Sequence, residues 1–295
     1  MKVDIQPGRY VIAVSGGVDS ISLLHLLQSI PDVKLTVAHF DHGIRGDSNQ
    51  DKLLVQSLAK KYGLPFVYHR GELGAKASEA VARESRYAFL RQVQKTVDAE
   101  AIITAHHQDD VLETAIINML RGTGRKGLTS LKSHRHLVRP MLAVSKSDVR
   151  AYAVKQGLVW REDSTNQDLT ILRNYIRKII LPKLGKEGKS ILINHINNLL
   201  EINNAIDDHL QFYLHLQPSR QVLNRYSFIL LPHNVALEIT AQWLRSHGIT
   251  TFNTKFLDSL VIKCKTLPPG KQIAIDAQHL LLVGNGTLAL MTTKN

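Results

Sequence analysis

The chain has 295 residues, 44% of them hydrophobic, with a net charge of +12 and an isoelectric point near 9.7. This excludes a disordered or fibrous chain and suits two domains; the positive balance implies either a polyanion partner such as nucleic acid or simply a basic surface. One cysteine, Cys264, excludes a disulfide framework or paired-thiol site within the chain, Lys2, Asp4, Gln6 and Arg9 interrupt any apolar leader, and no apolar run approaches the ~20 residues of a membrane span, so a cytoplasmic protein without membrane association is expected.

From the N-terminus, short apolar runs at residues 10–14, 35–40, 65–69 and 101–105 predict buried strands. Between them, residues 19–28, 48–62, 78–97 and 108–120 carry helical patterns. This alternation predicts an α/β domain with a parallel sheet covered on both faces. The pattern changes after Pro182, where "KLGKEGKS" reads as a hinge. Residues 191–216 form a long helical pattern weakened by five Asn, and residues 235–247 and 254–264 predict two further helices. The tail from Gln272 alternates apolar and polar, and Asn285-Gly286 signals a two-residue hairpin. The expected division is a domain at 1–185 and a smaller, mainly helical α+β domain at 186–295 ending in a hairpin.

The stretch Ser15-Gly16-Gly17-Val18-Asp19-Ser20 lies between a strand and a helix. Glycines let backbone amides approach an oxygen cluster, and the helix start adds unpaired N–H groups, so this is a candidate phosphate cradle with Ser15 and Ser20 as hydroxyl donors. Asp19 would repel a phosphate unless Mg²⁺ lies between them; the alternative is that it caps the helix. "GKEGKS" and "GTGRKG" look like other phosphate loops but follow helices rather than strands, and fail on that context.

Two further clusters lie where doubly wound sheets bind ligands, at the carboxyl ends of strands. "HFDHGIR" carries His39, Asp41, His42 and Arg45. In "TAHHQDDVLETAIINMLRGTG", a helix starting near His106 would place His106, Asp110 and Glu113 on one face and turn His107 elsewhere. That face could hold Mg²⁺ or orient a nucleophile, or its acids could simply oppose the helix dipole. Glu79, Arg83 and Arg86 share another helical face, and Arg173 and Arg177 stand one turn apart with forked guanidiniums suited to phosphate or carboxylate. Arg125 and Lys126 could touch RNA or be solvated, and Trp160 could stack on a base or belong to the core.

The Ser15 loop resembles that of the ATP-pyrophosphatase, or PP-loop, superfamily. With "HFDHGIR", "SEAVARESRYAFL", "TAHHQDDVLETAIINMLRGTGRKGL", "LVRPML", "WREDSTNQD" and "LRNYIRKIILPKL", the chain resembles the bacterial tRNA(Ile)-lysidine synthetase family over roughly residues 11–184. The resemblance implies a doubly wound, five-stranded parallel sheet of the adenine nucleotide alpha hydrolase type. It also implies a ligase that uses ATP and Mg²⁺ to adenylate the wobble cytidine of tRNA(Ile) and then joins L-lysine to it. On that basis Ala13, Ser15, Gly16, Gly17, Val18, Asp19, Ser20, His39 and Arg177 are expected to bind ATP. Asp110, Asp19, Asp41, His106 and Glu113 are expected to be catalytic, with Asp19 and Asp110 toward Mg²⁺. Arg83, Arg86, His107, Arg121, Arg125, Lys126 and Arg173 are expected to meet lysine or tRNA. A homodimer is left open, and the further C-terminal domain of longer family members is expected to be missing.

Overall fold

The computed structural model describes residues 1–43, 48–71, 79–162 and 168–293, apart from the side chain of Glu79. The chain divides into two compact units, Met1–Leu200 and Glu201–Asn295.

In the first unit the order is β1 (Gly8–Ala13), α1 (Val18–Leu27), β2 (Val33–Asp41), α2 (Ser48–Lys61), β3 (Phe66–Arg70), α3 (Glu79–Thr96), β4 (Ala101–Ile103), α4 (Gln108–Leu120), α5 (Arg125–Leu128), β5 (Leu137–Val138) and α6 (Lys146–Lys155). Then come α7 (Leu172–Tyr175), a π-helical turn at Ile176–Ile180, α8 (Leu181–Lys183) and the long α9 (Gly185–His215), within which the division of the units falls. The strands form one parallel sheet in the order β3-β2-β1-β4-β5.

Alternation along the strands explains why both faces are covered. Tyr10, Ile12, Leu35, Val37, Ala101 and Ile103 point into one core with Ile21, Leu24 and Leu27 of α1, Val55 and Ala59 of α2 and Val149 of α6. Their neighbours Val11, Ala38 and Ile102 point the other way, onto Tyr87, Phe89, Leu90 and Val93 of α3. Each fully buried leucine of these faces contributes about 1.5–3 kcal/mol of transfer free energy, which is what holds α1 and its preceding loop over the end of β1. A third cluster joins Val111, Leu112, Ala115 and Ile117 of α4 to Ile176, Leu181, Ile193 and Ile196. The expected hinge at "KLGKEGKS" is helical instead: Gly185 adopts φ +62°, so a single left-handed residue turns the chain out of α8 and α9 follows directly.

The second unit contains the remainder of α9, then β6 (Val222–Asn224), α10 (Arg225–Leu230), α11 (His233–Ser246), α12 (Thr254–Thr266), β7 (Gln272–Ala274), β8 (His279–Val283) and β9 (Thr287–Thr292). Its antiparallel sheet runs β6-β9-β8-β7, so the expected hairpin is the middle of a larger sheet. Gly284 N–H donates to Thr287 O at 2.8 Å, closing the two-residue turn at Asn285-Gly286. Leu281, Val283, Leu288 and Leu290 pack with Phe228, Trp243, Leu244 and Leu260. Arg225 is buried in this core with no carboxylate contact among the described residues; its guanidinium donates to the carbonyls of Cys264 (3.0 Å), Gly284 (3.0 Å) and Leu267. Cys264 is itself 1% exposed, and burial pushes its thiol up to about 12.

Arg225→Met leaves these buried carbonyls without donors. We expect it to destabilise the second unit by about 2–5 kcal/mol, read as faster amide exchange in β8 and β9 with exchange in β1 and β2 unchanged.

Candidate active site

Strand order reverses around β1, whose partners β2 and β4 lead in opposite directions through the chain. A crevice at the carboxyl ends of such strands is where doubly wound sheets take ligands. Here a cavity of about 480 Å³ opens, lined by Val14, Ser15 and Gly17 after β1, by His39–Asp41 at the end of β2, and by Thr104–His106 after β4. Asp19, Ser48, Asp51, Arg86, Lys146, Arg161 and Arg177 complete its charged and polar wall.

The loop after β1 braces itself. Ser20 Oγ accepts the Ser15 N–H (3.1 Å) and donates to Gly17 O (3.0 Å), while Ser15 Oγ lies 3.2 Å from Ser20 Oγ. Gly16 has φ +96°, and a Cβ there would stand 3.4 Å from the Asp51 side chain. Asp51 is held by Arg161 Nε at 2.8 Å, and Arg161 N–H donates to Gly16 O at 3.0 Å. Gly17 is the N-cap of α1, so Asp19 lies in the first turn and is not the cap.

A chain of polar and charged contacts runs from this loop. Lys146 Nζ is 2.6 Å from both Asp19 oxygens. His107 Nε2 is 3.7 Å from Asp19 Oδ2, and its Nδ1 is 3.5 Å from Asp110 Oδ2. Asp110 also accepts the His107 N–H at 2.9 Å and Arg177 Nη2 at 3.1 Å. Arg177 then forks onto Glu113, with Nε at 2.6 Å and Nη2 at 2.8 Å. Glu113 is 1% exposed. Burial works against the Arg177 charge, but the Glu113 and Asp110 carboxylates outweigh it and raise its pKa. Asp109 faces another way: it accepts Lys146 N–H (3.1 Å) and Lys189 Nζ (2.6 Å), fixing the start of α6 and tying α4 to α9.

On the other side of the cleft cations gather. Arg83 and Arg86 stand 4.9 and 5.4 Å from the Tyr87 ring, Arg86 lines the cavity, and its buried Nε has no hydrogen-bond partner. Arg139 Nε reaches His106 Nδ1 at 3.4 Å. Burial first, then the charges of Arg139, Arg86 and Arg83, push His106 down to about 2. His39 is 3% exposed and also lowered by burial; its Nδ1 meets Val14 O at 2.7 Å, which makes Nδ1 the donor and Nε2 an acceptor with no partner. Burial would raise Asp41, but the Gly43 amide and the Ser48 and Tyr68 hydroxyls outweigh it and hold it low.

Residues 2–184 match the model of the PP-loop domain family. The chain belongs to this family. The resemblance to the lysidine synthetases also holds. The chain is 43% identical over 181 residues to the tRNA(Ile)-lysidine synthase of Thermus thermophilus, covering 59% of this chain and 35% of that protein. It is 34% identical over 213 residues to that of Thermotoga sp. strain RQ2, covering 68% and 51%, and 31% identical over 302 residues to that of Nitrosomonas europaea, covering 90% and 65%. The matches thus span about a third to two thirds of these relatives' own length. Among solved structures, the U34-tRNA thiolase NcsA from Methanococcus maripaludis is similar in fold, with a TM-score of 0.55 at 17% identity over 67% of this chain and 74% of that one.

In this PP-loop chain the cavity wall brings together Ala13, Ser15, Gly17, Val18, Asp19, Ser20, His39, Asp41, Arg86, His106 and Arg177. Asp110, His107 and Glu113 reach it through the charge chain. The expected helix start near His106 is corrected: α4 begins at Gln108 with His107 as N-cap. The two histidines therefore exchange places, His107 between Asp19 and Asp110, His106 against Thr104 and Arg139. Arg121, Arg125 and Lys126 lie past the far end of α4, about 20 Å along the helix from its start, outside the cavity wall. Arg173 sits in α7. Arg45 and residues 163–167 of "WREDSTNQD" fall outside the described residues. Trp160 packs against the core beside α1, and its Nε1 donates to Glu162 at 3.2 Å, as the core reading expects. Sequence reading missed Lys146, Asp51 and Arg139. Lys146 carried a signal: it follows the N-cap Ser145, and a cation at a helix start opposes the dipole.

Mg²⁺ usually takes one or two carboxylates and completes its shell with water and substrate phosphates. Asp19, partly exposed beside the PP-loop, suits that role. Among the described residues no group of three His, Cys, Asp or Glu makes a protein-only metal cage. Asp110 is less open, with 17% of its side chain exposed against 27% for Asp19.

The depressed His106 has a consequence for acid stability. Below about pH 6.5 the unfolded chain gains a proton there that the folded chain does not take up, so stability falls as pH drops. The limiting slope for one such group is about 1.4 kcal/mol per pH unit. Urea unfolding at about pH 7 and pH 5 should show a smaller acid loss for His106→Gln than for the parent chain.

Proposed function

We propose that the chain is an ATP-dependent ligase that joins L-lysine to C2 of the wobble cytidine of tRNA(Ile) bearing a CAU anticodon. It forms lysidine, AMP and pyrophosphate, and so changes codon reading from AUG to AUA and tRNA identity from methionine to isoleucine. The observation that carries the reading is the Lys146–Asp19–His107–Asp110–Arg177 chain of contacts leading from the PP-loop, in a chain similar to lysidine synthases.

In the first step the C2 oxygen attacks the α-phosphorus, the bond to the β-phosphate breaks, and pyrophosphate leaves. The PP-loop backbone at Gly16 and Gly17 and the Ser15 hydroxyl would hold the departing oxygens. Asp19 would hold the Mg²⁺ that accompanies the nucleotide, which would neutralise charge on the triphosphate. In the second step the lysine ε-amine attacks C2, AMP leaves, and one amine proton must be accepted. Asp110 is the assigned acceptor, with the His107 ring lying between it and Asp19. Asp41 is held low by its hydrogen bonds, and Glu113 is buried at 1% exposure where Asp110 keeps 17% of its side chain open. Arg177 then acts by positioning Asp110. The guanidiniums of Arg83 and Arg86 offer a fork to the lysine carboxylate or an RNA phosphate. The second unit, Arg121, Arg125, Lys126 and Arg173 are assigned to the tRNA, in a cytoplasmic setting, and binding should weaken as salt rises. Catalysis is assigned to the first unit, and tRNA recognition to the second together with these four residues of the first.

The test is purified protein with radiolabelled lysine, ATP and unmodified tRNA(Ile). Label should enter tRNA only with ATP present, and Asp19→Ala and Asp110→Ala should each lower incorporation by about a hundredfold or more. Pyrophosphate release without lysine incorporation would assign the chain to another PP-loop reaction; no ATP turnover would make it a binding module.

A further inference from the structure

Lys146 stands where helix electrostatics disfavour it. It is the first residue of α6, next to the N-cap Ser145, whose Oγ accepts the Asp148 N–H at 3.1 Å. A cation in the first turn faces the positive end of the helix dipole. Its backbone is pinned by Asp109, itself pinned by Lys189, while its side chain spans the cavity wall to Asp19 and is 38% exposed. A partly exposed ion pair contributes little stability, typically ~0–1 kcal/mol, so pairing with Asp19 is a weak reason to keep a lysine there. An anion arriving in the PP-loop gives a stronger one. Ser15 and Gly17 line the same cavity as the Lys146 ammonium, and α1 packs against α6.

We infer that Lys146 is an exchange residue of the nucleotide site: its ammonium closes on Asp19 when the loop holds no phosphate and transfers to the β- and γ-phosphates when a triphosphate arrives, releasing the Asp19 carboxylate for the cation that accompanies it. The exchange is a rotation about the lysine stem, while Asp109 holds the backbone N–H of residue 146. It conserves charge pairing in both states: Asp19 exchanges an ammonium for a divalent cation, and Lys146 exchanges a carboxylate for phosphate. It also sets an order of events, since Asp19 is open only after the triphosphate has taken the lysine. The inference rests on the ATP-dependent reading above and adds a residue which that reading does not assign.

The test is calorimetric binding of α,β-methylene ATP with Mg²⁺, and separately of AMP, to the full chain. Lys146→Met should weaken the triphosphate analogue by about tenfold to a hundredfold, the value of a charge-assisted hydrogen bond, and should leave AMP within about threefold, since AMP lacks the β- and γ-phosphates. Lys146→Arg should recover most of the analogue affinity. The loss should persist when Lys146→Met is made in an Asp19→Asn background. Unchanged or tighter analogue binding, an equal loss for AMP, or disappearance of the effect in the Asp19→Asn background would each overturn the exchange, the last by showing that Lys146 acts only on Asp19. A parent chain that binds neither ligand would overturn the ATP-dependent reading and the exchange with it.

Discussion

The fork of Arg177 on Glu113 is the contact on which the rest of the cleft depends. Glu113 lies on the buried face of α4 at 1% exposure, where an unpaired carboxylate would cost several kcal/mol. Arg177 meets both oxygens from the π-helical turn at Ile176–Ile180, a widened turn of the kind often retained at functional sites. Because the same guanidinium also holds Asp110, satisfying the buried acid fixes the half-buried one, and through His107 it fixes the approach to Asp19. The hydrophobic cluster under α4, with Ile176 and Leu181 against Leu112 and Ala115, holds the π turn where this fork can form. Packing therefore determines the electrostatics, and the electrostatics determine which carboxylates stay open to a substrate.

Much of the first unit was legible because its signals are local and long enough to have a period. The runs that became β1 and β2, and the helices α1–α4, each spread their pattern over several residues. The short strands β5, β6 and β7, at two or three residues each, are too brief to show alternation, and only their partners define them. Only the family resemblance supplied the fifth strand. The PP-loop was readable because glycine, hydroxyl and helix start are adjacent in the chain. The exchange between His106 and His107 shows the limit of such reading: neighbouring helical residues differ by about 100° around the axis, so a start displaced by two residues redirects both rings. Lys146 and Asp51 escaped because they contact Asp19 and Gly16 across more than thirty positions of sequence or more than one element, and no local pattern reports that.

The two sides of the cavity are built on opposite principles. Along the loop and α4, each acid in the chain of contacts faces a cation, an amide or an imidazole. Around Tyr87, guanidiniums gather against a histidine that burial and their own fields keep neutral. The first arrangement is balanced before any ligand arrives. The second has surplus positive charge, and that surplus is what an incoming carboxylate or phosphate would neutralise.

The Arg225 clamp brings the carbonyl of Cys264 into the centre of the second unit's core, with the thiol 1% exposed and pushed up to about 12. Since Cys264 is the chain's one cysteine, an alkylating reagent can react only during excursions that open this core. The rate of labelling is therefore a built-in clock for local opening of that unit, readable without an added probe while the rest of the protein remains folded.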